Sequence, residues 1–261
     1  MNITDFHNHL MPGVDDGARS LEQARTALES LRAGGAGRII TTPHFNASLT
    51  LDAAALGQRL AELDAAWALL EPLASELGVE LYRGAEIALD VPRPDLAEPR
   101  LRLAGTRFVL VEFAFMAVPP HSASVLAAVR AGGVQPVLAH PERYGRMSGD
   151  REGAHAWKEA GAYLQVNGAS LLGRYGEVPR RAALRLLEEG AADYVCSDFH
   201  ARGDPGLARY RAALESLGGG EQAELLLEVN PRRLLEDQPP LPVPPLQPKG
   251  GLRQRLRRLF S

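Results

Sequence analysis

The chain has 261 residues and a mass of 28.2 kDa, with 45% hydrophobic and 23% charged residues. This balance excludes a mainly disordered chain, and the length fits one large or two small domains. The longest apolar stretch, 108–118, has 11 residues and contains Glu112, so it is too short to cross a bilayer. The N-terminus has no basic head followed by an apolar run, and one cysteine cannot form an internal disulfide. We therefore expect a cytoplasmic globular protein.

Charge is distributed unevenly along the chain. The last thirteen residues carry five basic and no acidic side chains, so the formal net charge of −3 leaves −8 for residues 1–248. A body this acidic is poorly suited to binding nucleic acid through its overall field. We expect no nucleic-acid partner.

Short apolar β-type runs alternate with longer helix-type segments. The predicted strands, in chain order, are Ile3–Phe6, Arg38–Thr42, Val79–Arg83, Arg107–Phe113, Gln135–Ala139, Ala162–Val166 and Asp193–Cys196. The predicted helices are Leu21–Ala33, Asp52–Leu70, Ser122–Ala131, Glu152–Ala160, Pro179–Glu189, Pro205–Leu217 and Glu221–Val229. Because strand–helix alternation is typical of a parallel sheet, seven such units favour a barrel related to the eightfold (β/α) type. An open doubly wound sheet is the alternative.

The C-terminal residues have a different composition. Six of the ten residues from Pro239 to Pro248 are proline, which favours a stiff polyproline II spacer over packed structure. Beyond the prolines, four apolar residues have the spacing of one helix face opposite the arginines: Leu252, Leu256, Leu259 and Phe260. This pattern is typical of an interfacial amphipathic helix that contacts a membrane, and a disordered basic tail is the alternative.

Histidine and acidic residues follow the ends of most predicted strands. In chain order they are His7 and His9, then Asp15 and Asp16 in the next loop, His44, Glu86, Glu112, His140, Asp198 and His200, with Asn167 after the sixth strand. In a parallel barrel the carboxyl ends of all strands meet at one face, where active sites are built. Histidines with a purely structural role would scatter over the helices, so this convergence favours a functional site.

The residue types in this set indicate metal binding. Imidazole and carboxylate ligands without thiolate suit Mn²⁺, Fe²⁺, Zn²⁺ or Mg²⁺ and do not select among them. The set is too large for one ion, so two or three ions are expected. Such a centre lowers the pKa of a bound water molecule and holds phosphate oxygens, which favours metal-assisted hydrolysis. Arg143 and Arg202 lie close in sequence to His140 and His200 and are candidate phosphate clamps, with surface arginine as the alternative for each.

These residues resemble those of the polymerase-and-histidinol-phosphatase (PHP) family. Within it, the chain is most similar to the branch of bacterial tyrosine phosphatases from capsular and exopolysaccharide loci, the CpsB/YwqE type. The matching segments are 5–9, 12–17, 42–44, 84–87, 110–113, 140–144, 165–167 and 197–200, with Asn230-Pro231 near the end of the domain. The resemblance covers about residues 1–237, which we expect to form the phosphatase domain. The composition predicts a Pro-rich linker over 238–248 and a basic amphipathic tail over 249–261, and these two segments lie outside the family pattern.

The resemblance also implies a distorted (β/α)7 barrel, the PHP fold, with three metal ions, usually manganese. By position, the ligands would be His7, His9, Glu86 and Asp198 for the first ion, Glu86, Glu112 and His140 for the second, and Asp16, His44 and His200 for the third. Asp15 is the substitute should Asp16 point away. A bridging hydroxide would attack phosphorus in line, without a phosphoenzyme intermediate. His44 could alternatively protonate the leaving phenolate.

One position departs from the branch. A second phosphate-binding arginine typically follows the last Asp-x-His by about five residues, and this chain has Pro205 there. Arg202 or Arg209 would have to take over that role.

Three other functions remain open from the sequence. Cys196 and Arg202 have the Cys-x5-Arg spacing of thiol-dependent tyrosine phosphatases, but Asp198 would place a negative charge where the phosphate binds. Metal-dependent C–N hydrolases also open with His-x-His, and many use a carboxylated lysine at a strand end; the only lysine of the body, Lys158, falls in a predicted helix. The third alternative is another phosphoesterase of the PHP family, such as a histidinol-phosphate phosphatase.

The sequence therefore predicts a metal-dependent protein-tyrosine phosphatase. From the resemblance alone, its substrate would be the tyrosine-rich tail of a membrane-associated bacterial kinase that regulates capsule or exopolysaccharide synthesis. The tail would add peripheral membrane contact at the inner face of the membrane.

Overall fold

A computed structural model describes residues 2–113, 118–144 and 151–247. Within this part of the chain, nine short strands all pair in parallel. They are β1 (Ile3–Asp5), β2 (Ala36–Thr41), β3 (His44–Asn46), β4 (Glu80–Arg83), β5 (Glu86–Ala88), β6 (Phe108–Glu112), β7 (Gln135–Ala139), β8 (Tyr163–Asn167) and β9 (Tyr194–Cys196).

The nine strands occupy seven positions around a barrel. One sheet has the order β1-β2-β4 and the other the order β3-β5-β6-β7-β8-β9. β2 runs into β3 after a break at Pro43, and β4 runs into β5 after a break at Gly84. Backbone hydrogen bonds cross the breaks, since Gly84 N donates to Thr41 O at 2.9 Å and Glu86 N donates to Pro43 O at 3.0 Å. Each pair is therefore one barrel strand interrupted near its carboxyl end.

The ring closes between the first and last strands. Asn8 forms a parallel bridge with Phe199, just beyond β1 and β9. Beneath this bridge the buried carboxylate of Asp5 accepts hydrogen bonds from Ser197 N at 2.8 Å and Ser197 Oγ at 2.7 Å. The prediction of a distorted (β/α)7 barrel is confirmed, and the open sheet is excluded by this closure.

The helices connect successive strands or follow the last one. They are α1 (Leu21–Ala33), α2 (Ala53–Glu76), α3 (Ser122–Ala131), α4 (Arg151–Glu159), α5 (Gly168–Leu171), α6 (Glu177–Glu188), α7 (Leu207–Ser216), α8 (Gly220–Glu224) and α9 (Asn230–Leu235). Local sequence explains several helix starts: the Asp52 side chain accepts hydrogen bonds from Ala54 N and Ala55 N at the start of α2. The helix predicted over Glu221–Val229 is instead α8 followed by a π-helical segment, Leu225–Val229, which leads into α9.

The apolar core has two layers. Inside the barrel, inward-facing residues such as Phe6, Ile40, Leu110 and Tyr194 form a buried cluster. A larger layer fills the space between the strands and the helices. The polar residues at the carboxyl ends of the strands lie at the end of the barrel where active sites of this architecture are built.

The proline-rich segment does not have the structure expected of a spacer. Val243 and Leu246 are buried against the body, and Leu246 N donates to Leu187 O at 2.9 Å. The Asn230 side chain accepts a hydrogen bond from Leu241 N at 2.8 Å and donates one to Leu241 O at 3.0 Å. Gly190, at φ 64°, allows the backbone of the proline-rich segment to approach the body closely, because a Cβ at this position would lie 2.7 Å from Val243 O. We call residues 239–247 the C-terminal strap; the prediction from proline content missed its two apolar anchors.

Two further predictions concern membranes and the tail. In the described ranges no helix is both long and apolar enough to cross a membrane. The predicted amphipathic tail, 249–261, lies outside the described residues.

Candidate metal centre

The structure brings all nine residues predicted as metal ligands to the carboxyl ends of the strands. Their donor atoms form four overlapping groups, each with all atoms within 4.8 Å of one another. The groups are His9, Asp16, His44 and His200; His7, His9 and Asp198; His7, Glu86 and His140; and His44, Glu86 and Glu112. Shared members make this one continuous cluster that extends from the first strand to the last.

Glu86 lies at the centre of the cluster. Its Oε1 is 3.1 Å from His7 Nε2 and 3.0 Å from His140 Nε2, while its Oε2 is 3.1 Å from His44 Nδ1 and 3.5 Å from His9 Nε2. The side chain is 1% exposed. β5 begins at Glu86, so the break at Gly84 directs this carboxylate into the barrel mouth. A buried carboxylate with four imidazoles around it can bridge two ions.

Two side chains outside the predicted ligand set orient the buried histidines. Gln165 Oε1 accepts from His7 Nδ1 at 2.8 Å, and its Nε2 donates to Val166 O at 2.9 Å, which fixes the orientation of the amide. Asp15 accepts from His9 Nδ1 at 2.8 Å. Both bonds favour the proton on Nδ1 and leave Nε2 free to bind a metal. Asp15 was predicted as a substitute ligand for Asp16, and its carboxylate instead holds His9.

The outer part of the cluster is more accessible. The Asp16 side chain is 64% exposed, and its Oδ1 lies 3.4 Å from His44 Nε2 and 3.3 Å from His200 Nε2. His200 Nδ1 lies 3.0 Å from Asp198 O, which leaves Nε2 facing Asp16. The three residues predicted to share an ion are therefore close together at the mouth of the barrel.

Asp198 links the cluster to Arg143. Its Oδ1 is 3.4 Å from His7 Nε2, and its Oδ2 accepts from Arg143 Nη1 at 2.8 Å and from Asn167 Nδ2 at 2.9 Å. Asp198 and His140 have φ of 52° and 35°, values that residues other than glycine rarely adopt. Such backbone strain often accompanies functional sites, because the surrounding structure must hold it in place.

The charges of the cluster affect one another strongly. Burial lowers the pKa of His7, but the carboxylates of Glu86 and Asp198 outweigh it and raise that pKa to about 9. Burial raises the pKa of Asp15, but its hydrogen bond with His9 and the charge of His9 lower that pKa to about 2. In the absence of metal, a proton on His7 therefore compensates part of the carboxylate charge.

The donor set fits metal ions better than a network of hydrogen bonds alone. His7 Nε2 and His9 Nε2 are buried and have no partner in hydrogen-bond geometry, although carboxylate oxygens lie 3.1 to 3.5 Å away. Buried polar groups normally satisfy their hydrogen bonds. Nitrogen and oxygen atoms that converge without bonding each other are expected where a cation lies between them. We infer that the residues fit bound divalent ions.

A cavity of about 320 Å³ opens beside the cluster. It is lined by Asp16, Asp198, His200 and the predicted arginines Arg143 and Arg202, and also by Arg174, Tyr175, Asp204, Pro205 and Tyr210. Arg143 lies over the Tyr175 ring, with the guanidinium carbon 4.4 Å from the ring centroid. Arg202 donates to the backbone carbonyl of Asp16. Arg209 does not line this cavity and pairs with Asp204 at 2.9 Å.

Sequence reasoning missed Arg174 and Tyr175. Both lie in the segment 172–176, between α5 and α6. No motif covers this segment, and only its proximity to the cavity in the fold marks these residues. The Asn167 amide, noted in the sequence without a role, contacts both the Tyr175 hydroxyl at 3.4 Å and Asp198.

Two alternative chemistries lose their support. Cys196 is fully buried in the barrel interior, and burial raises the pKa of its thiol well above the usual value, which disfavours a thiolate nucleophile. Lys158 Nζ bonds Asp193 Oδ2 at 2.6 Å, and Asp193 lies just before β9, at the opposite end of that strand from Asp198. Lys158 is therefore held away from the cluster and does not provide a carboxylated lysine that bridges two metal ions.

A family model and a solved structure match most of the chain. The model of the family described as "Capsular polysaccharide synthesis, CpsB/CapC" matches residues 3–236. The crystal structure described as that of YwqE from Bacillus subtilis and CpsB from Streptococcus pneumoniae, "unique metal-dependent tyrosine phosphatases", superposes with a TM-score of 0.76 at 27% identity. It covers 94% of this chain and 99% of that one.

Two curated proteins are similar over nearly their whole length. The tyrosine-protein phosphatase YwqE of Bacillus subtilis (strain 168) is 31% identical over 260 residues, covering 92% of this chain and 96% of that protein. The tyrosine-protein phosphatase CpsB of Streptococcus pneumoniae is 23% identical over 245 residues, covering 90% and 99%.

Proposed function

The chain belongs to the CpsB/CapC family of capsular polysaccharide synthesis proteins, and we infer from this membership and from its site that it is a metal-dependent tyrosine-protein phosphatase. The observation that carries this function is the nine-residue cluster of imidazoles and carboxylates beside an arginine-lined cavity. The reaction is hydrolysis of a phosphate monoester in a phosphotyrosine protein.

We propose the ligands that the sequence predicted. His7, His9, Glu86 and Asp198 would hold one ion, Glu86, Glu112 and His140 a second, and Asp16, His44 and His200 a third. The short distances between their donor atoms support this assignment. His44 has one nitrogen toward Glu86 and the other toward Asp16, which favours a ligand over a free general acid. We propose Mn²⁺ as the metal, with Fe²⁺, Zn²⁺ or Mg²⁺ as alternatives, because this donor set suits all four.

Bound divalent ions would lower the pKa of a coordinated water molecule and neutralise phosphate charge. The chain's own residues prepare the site for this chemistry. Gln165 and Asp15 hold the His7 and His9 rings with Nε2 toward the cluster. Glu86 keeps its two oxygens between four imidazoles, so proposed ions on either side would stay close together.

Arg143 and Arg202 would bind the phosphoryl group. Both line the cavity that the ligand side chains Asp16, Asp198 and His200 also line. Arg143 is fixed by Asp198 and by the Tyr175 ring, which limits the freedom it would lose when phosphate binds. We prefer Arg202 to Arg209 as the second arginine because Arg209 does not line this cavity and its charge is paired with Asp204.

The partner and location are further parts of the proposal. We propose that the phosphotyrosine substrate is a membrane-associated bacterial tyrosine kinase that regulates polysaccharide synthesis. The enzyme would act in the cytoplasm, at the inner face of the membrane. Support comes from the capsule-linked family and from the basic composition of residues 249–261.

The test is hydrolysis of a phosphotyrosine peptide by protein stripped of metal with a chelator and then supplied with Mn²⁺. We expect activity only after metal is restored, and we expect Cys196→Ser to retain it. Activity that survives the chelator but is abolished by a thiol-alkylating agent would contradict the metal mechanism. Efficient hydrolysis of histidinol phosphate without hydrolysis of the peptide would move the chain to another PHP-type phosphoesterase.

A further inference from the structure

A second cavity adjoins the one beside the metal cluster. It also has a volume of about 320 Å³ and is lined by Ala169, Leu172, Arg174, Asp204, Arg209 and Tyr210. None of these six residues belongs to the proposed ligand set. Ala169, Arg174, Asp204 and Tyr210 line both cavities, so the two form one groove that leads away from the proposed metal ligands.

The part of the groove beyond the proposed metal ligands carries a positive charge that is not compensated. Arg209 is paired with Asp204 at 2.9 Å, so these two charges largely cancel. Arg174 is exposed, and its guanidinium has no hydrogen bond or ion pair with any residue in the described ranges. The one net charge at the junction of the two cavities is therefore that of Arg174.

The backbone holds Arg174 in the wall of the cavity that Arg143 and Tyr175 also line. Arg174 N donates to Ala169 O at 3.1 Å, and Gly173 and Gly176 take φ of 74° and 92° on either side. The guanidinium of Arg143 lies over the ring of the next residue, Tyr175. A phosphotyrosine whose phosphate reaches Arg143 would thus have its neighbouring peptide residues beside Arg174.

We propose that the second cavity is a subsite for a peptide residue next to the phosphotyrosine and that Arg174 makes it select an acidic side chain. This inference rests on the proposed phosphatase function and adds a peptide preference to it. Leu172, 40% exposed at the edge of the cavity, offers apolar contact to the stem of a glutamate. A lysine at the same peptide position would face Arg174 and be disfavoured.

The experiment compares two phosphotyrosine peptides that differ only in the residues flanking the phosphotyrosine, glutamate on both sides or lysine on both sides. The wild-type enzyme with Mn²⁺ should show a higher kcat/KM for the glutamate peptide. Arg174→Gln should reduce this preference roughly twofold to fivefold, the effect of an exposed ion pair. Arg174→Glu should reverse it. Arg232→Gln, an exposed arginine on α9 outside both cavities, is the matched control and should leave the preference unchanged.

The possible results separate the two proposals. A preference that weakens in Arg174→Gln, persists in Arg232→Gln and falls with added salt supports the subsite. Equal kcat/KM for both peptides in the wild type, or an unchanged preference in Arg174→Gln, overturns the subsite while phosphatase function stands. Failure of the wild type to hydrolyse free phosphotyrosine as well as both peptides overturns the phosphatase function, and the subsite with it.

Discussion

Asp15 and Asp16 are neighbours in the chain with different surroundings. The Asp15 carboxylate is largely enclosed and accepts hydrogen bonds from His9 Nδ1, Gly17 N and His44 N. The Asp16 side chain is mostly exposed and faces His44 and His200. One residue thus positions a proposed ligand, and the other is itself a proposed ligand.

This difference predicts two kinds of metal-binding defect. Asp15→Asn should weaken Mn²⁺ binding about tenfold or more without changing the number of ions bound, because partners that orient ligands typically have that effect. Asp16→Asn should reduce the number of ions bound, because it removes a ligand of the outer ion. Calorimetric titration of chelator-stripped protein with Mn²⁺ measures both quantities. Wild-type affinity in Asp15→Asn would contradict its positioning role.

At the scale of single residues, the sequence predicts ligand types better than it predicts their supports. Every proposed ligand lies near the carboxyl end of a barrel strand or in the loop that follows it, and the order of strands is enough to bring these residues together. Which of two adjacent aspartates turns inward depends on the loop conformation, which residue type alone does not fix. Arg174 and Tyr175 could not be predicted, because the fold brings them to the cavity through a segment without a motif.

The structure of the C-terminal strap differs from the structure that its composition predicts. Residues 239–247 contain enough proline to exclude a regular helix or strand, and the structure has neither there. However, Val243 and Leu246 pack on the body, and the backbone bonds Leu187 and Asn230. Proline content predicts the local backbone conformation, while packing is decided by the few apolar side chains that lie between the prolines. The short strands β3 and β5 were not predicted, because the predicted strands end at Thr42 and Arg83, before Pro43 and Gly84.

The strap contains a matched pair of leucines for a stability test. Leu246→Ala should lower the free energy of unfolding by about 2–3 kcal/mol, because Leu246 is buried. Leu241→Ala should change it by less than about 0.5 kcal/mol, because Leu241 is 40% exposed. Urea unfolding monitored by circular dichroism gives both values. Equal effects of the two substitutions would mean that the strap does not stabilise the body through Leu246.

Lys158 ties α4 to the start of β9, and its removal should have a pH-dependent cost. Burial raises the pKa of Asp193, and Lys158 opposes this effect. Lys158→Met would leave the carboxylate buried without its cation, and its pKa would rise further. A raised pKa in the folded state favours the protonated form, so the stability loss appears as pH rises and ionises Asp193.

We therefore expect Lys158→Met to lose about 2 kcal/mol of unfolding free energy at pH 7, less than for a fully buried pair because Lys158 is partly exposed. The difference from wild type should shrink as pH falls below about 5. Unfolding midpoints at several pH values, measured in chelator, test this expectation. A stability difference between variant and wild type that grows as pH falls would contradict the expected direction of this pH dependence.

At the scale of the whole molecule, the proposed metal ligands come from six of the seven strand positions and their following loops. The barrel holds them at one end, so metal binding at this cluster requires the closed barrel. Since an unfolded chain cannot supply this arrangement, metal should bind the folded state preferentially.

Mn²⁺ should therefore raise the thermal unfolding midpoint. At a free concentration one hundred times Kd, one site contributes about 2.7 kcal/mol. For a chain of this length, that corresponds to a rise in Tm of about 5–10 °C. Glu86→Gln should lose most of this rise, because Glu86 lies at the centre of the cluster. Differential scanning calorimetry with and without chelator measures the shift, and an unchanged Tm in the wild type would contradict metal binding at this site.

The closure of the barrel between its first and last strands has a consequence during protein synthesis. His7 and His9 emerge from the ribosome before β9 and before Asp198 and His200, which follow it. A nascent chain can present fragments of the proposed ligand set but not its full number until β9 has docked against β1. Since domains generally fold as units, the complete centre would form in one late step. A ribosome that stalls before the last strand would release a chain without phosphatase activity, so this fold prevents incomplete molecules from acting on phosphotyrosine.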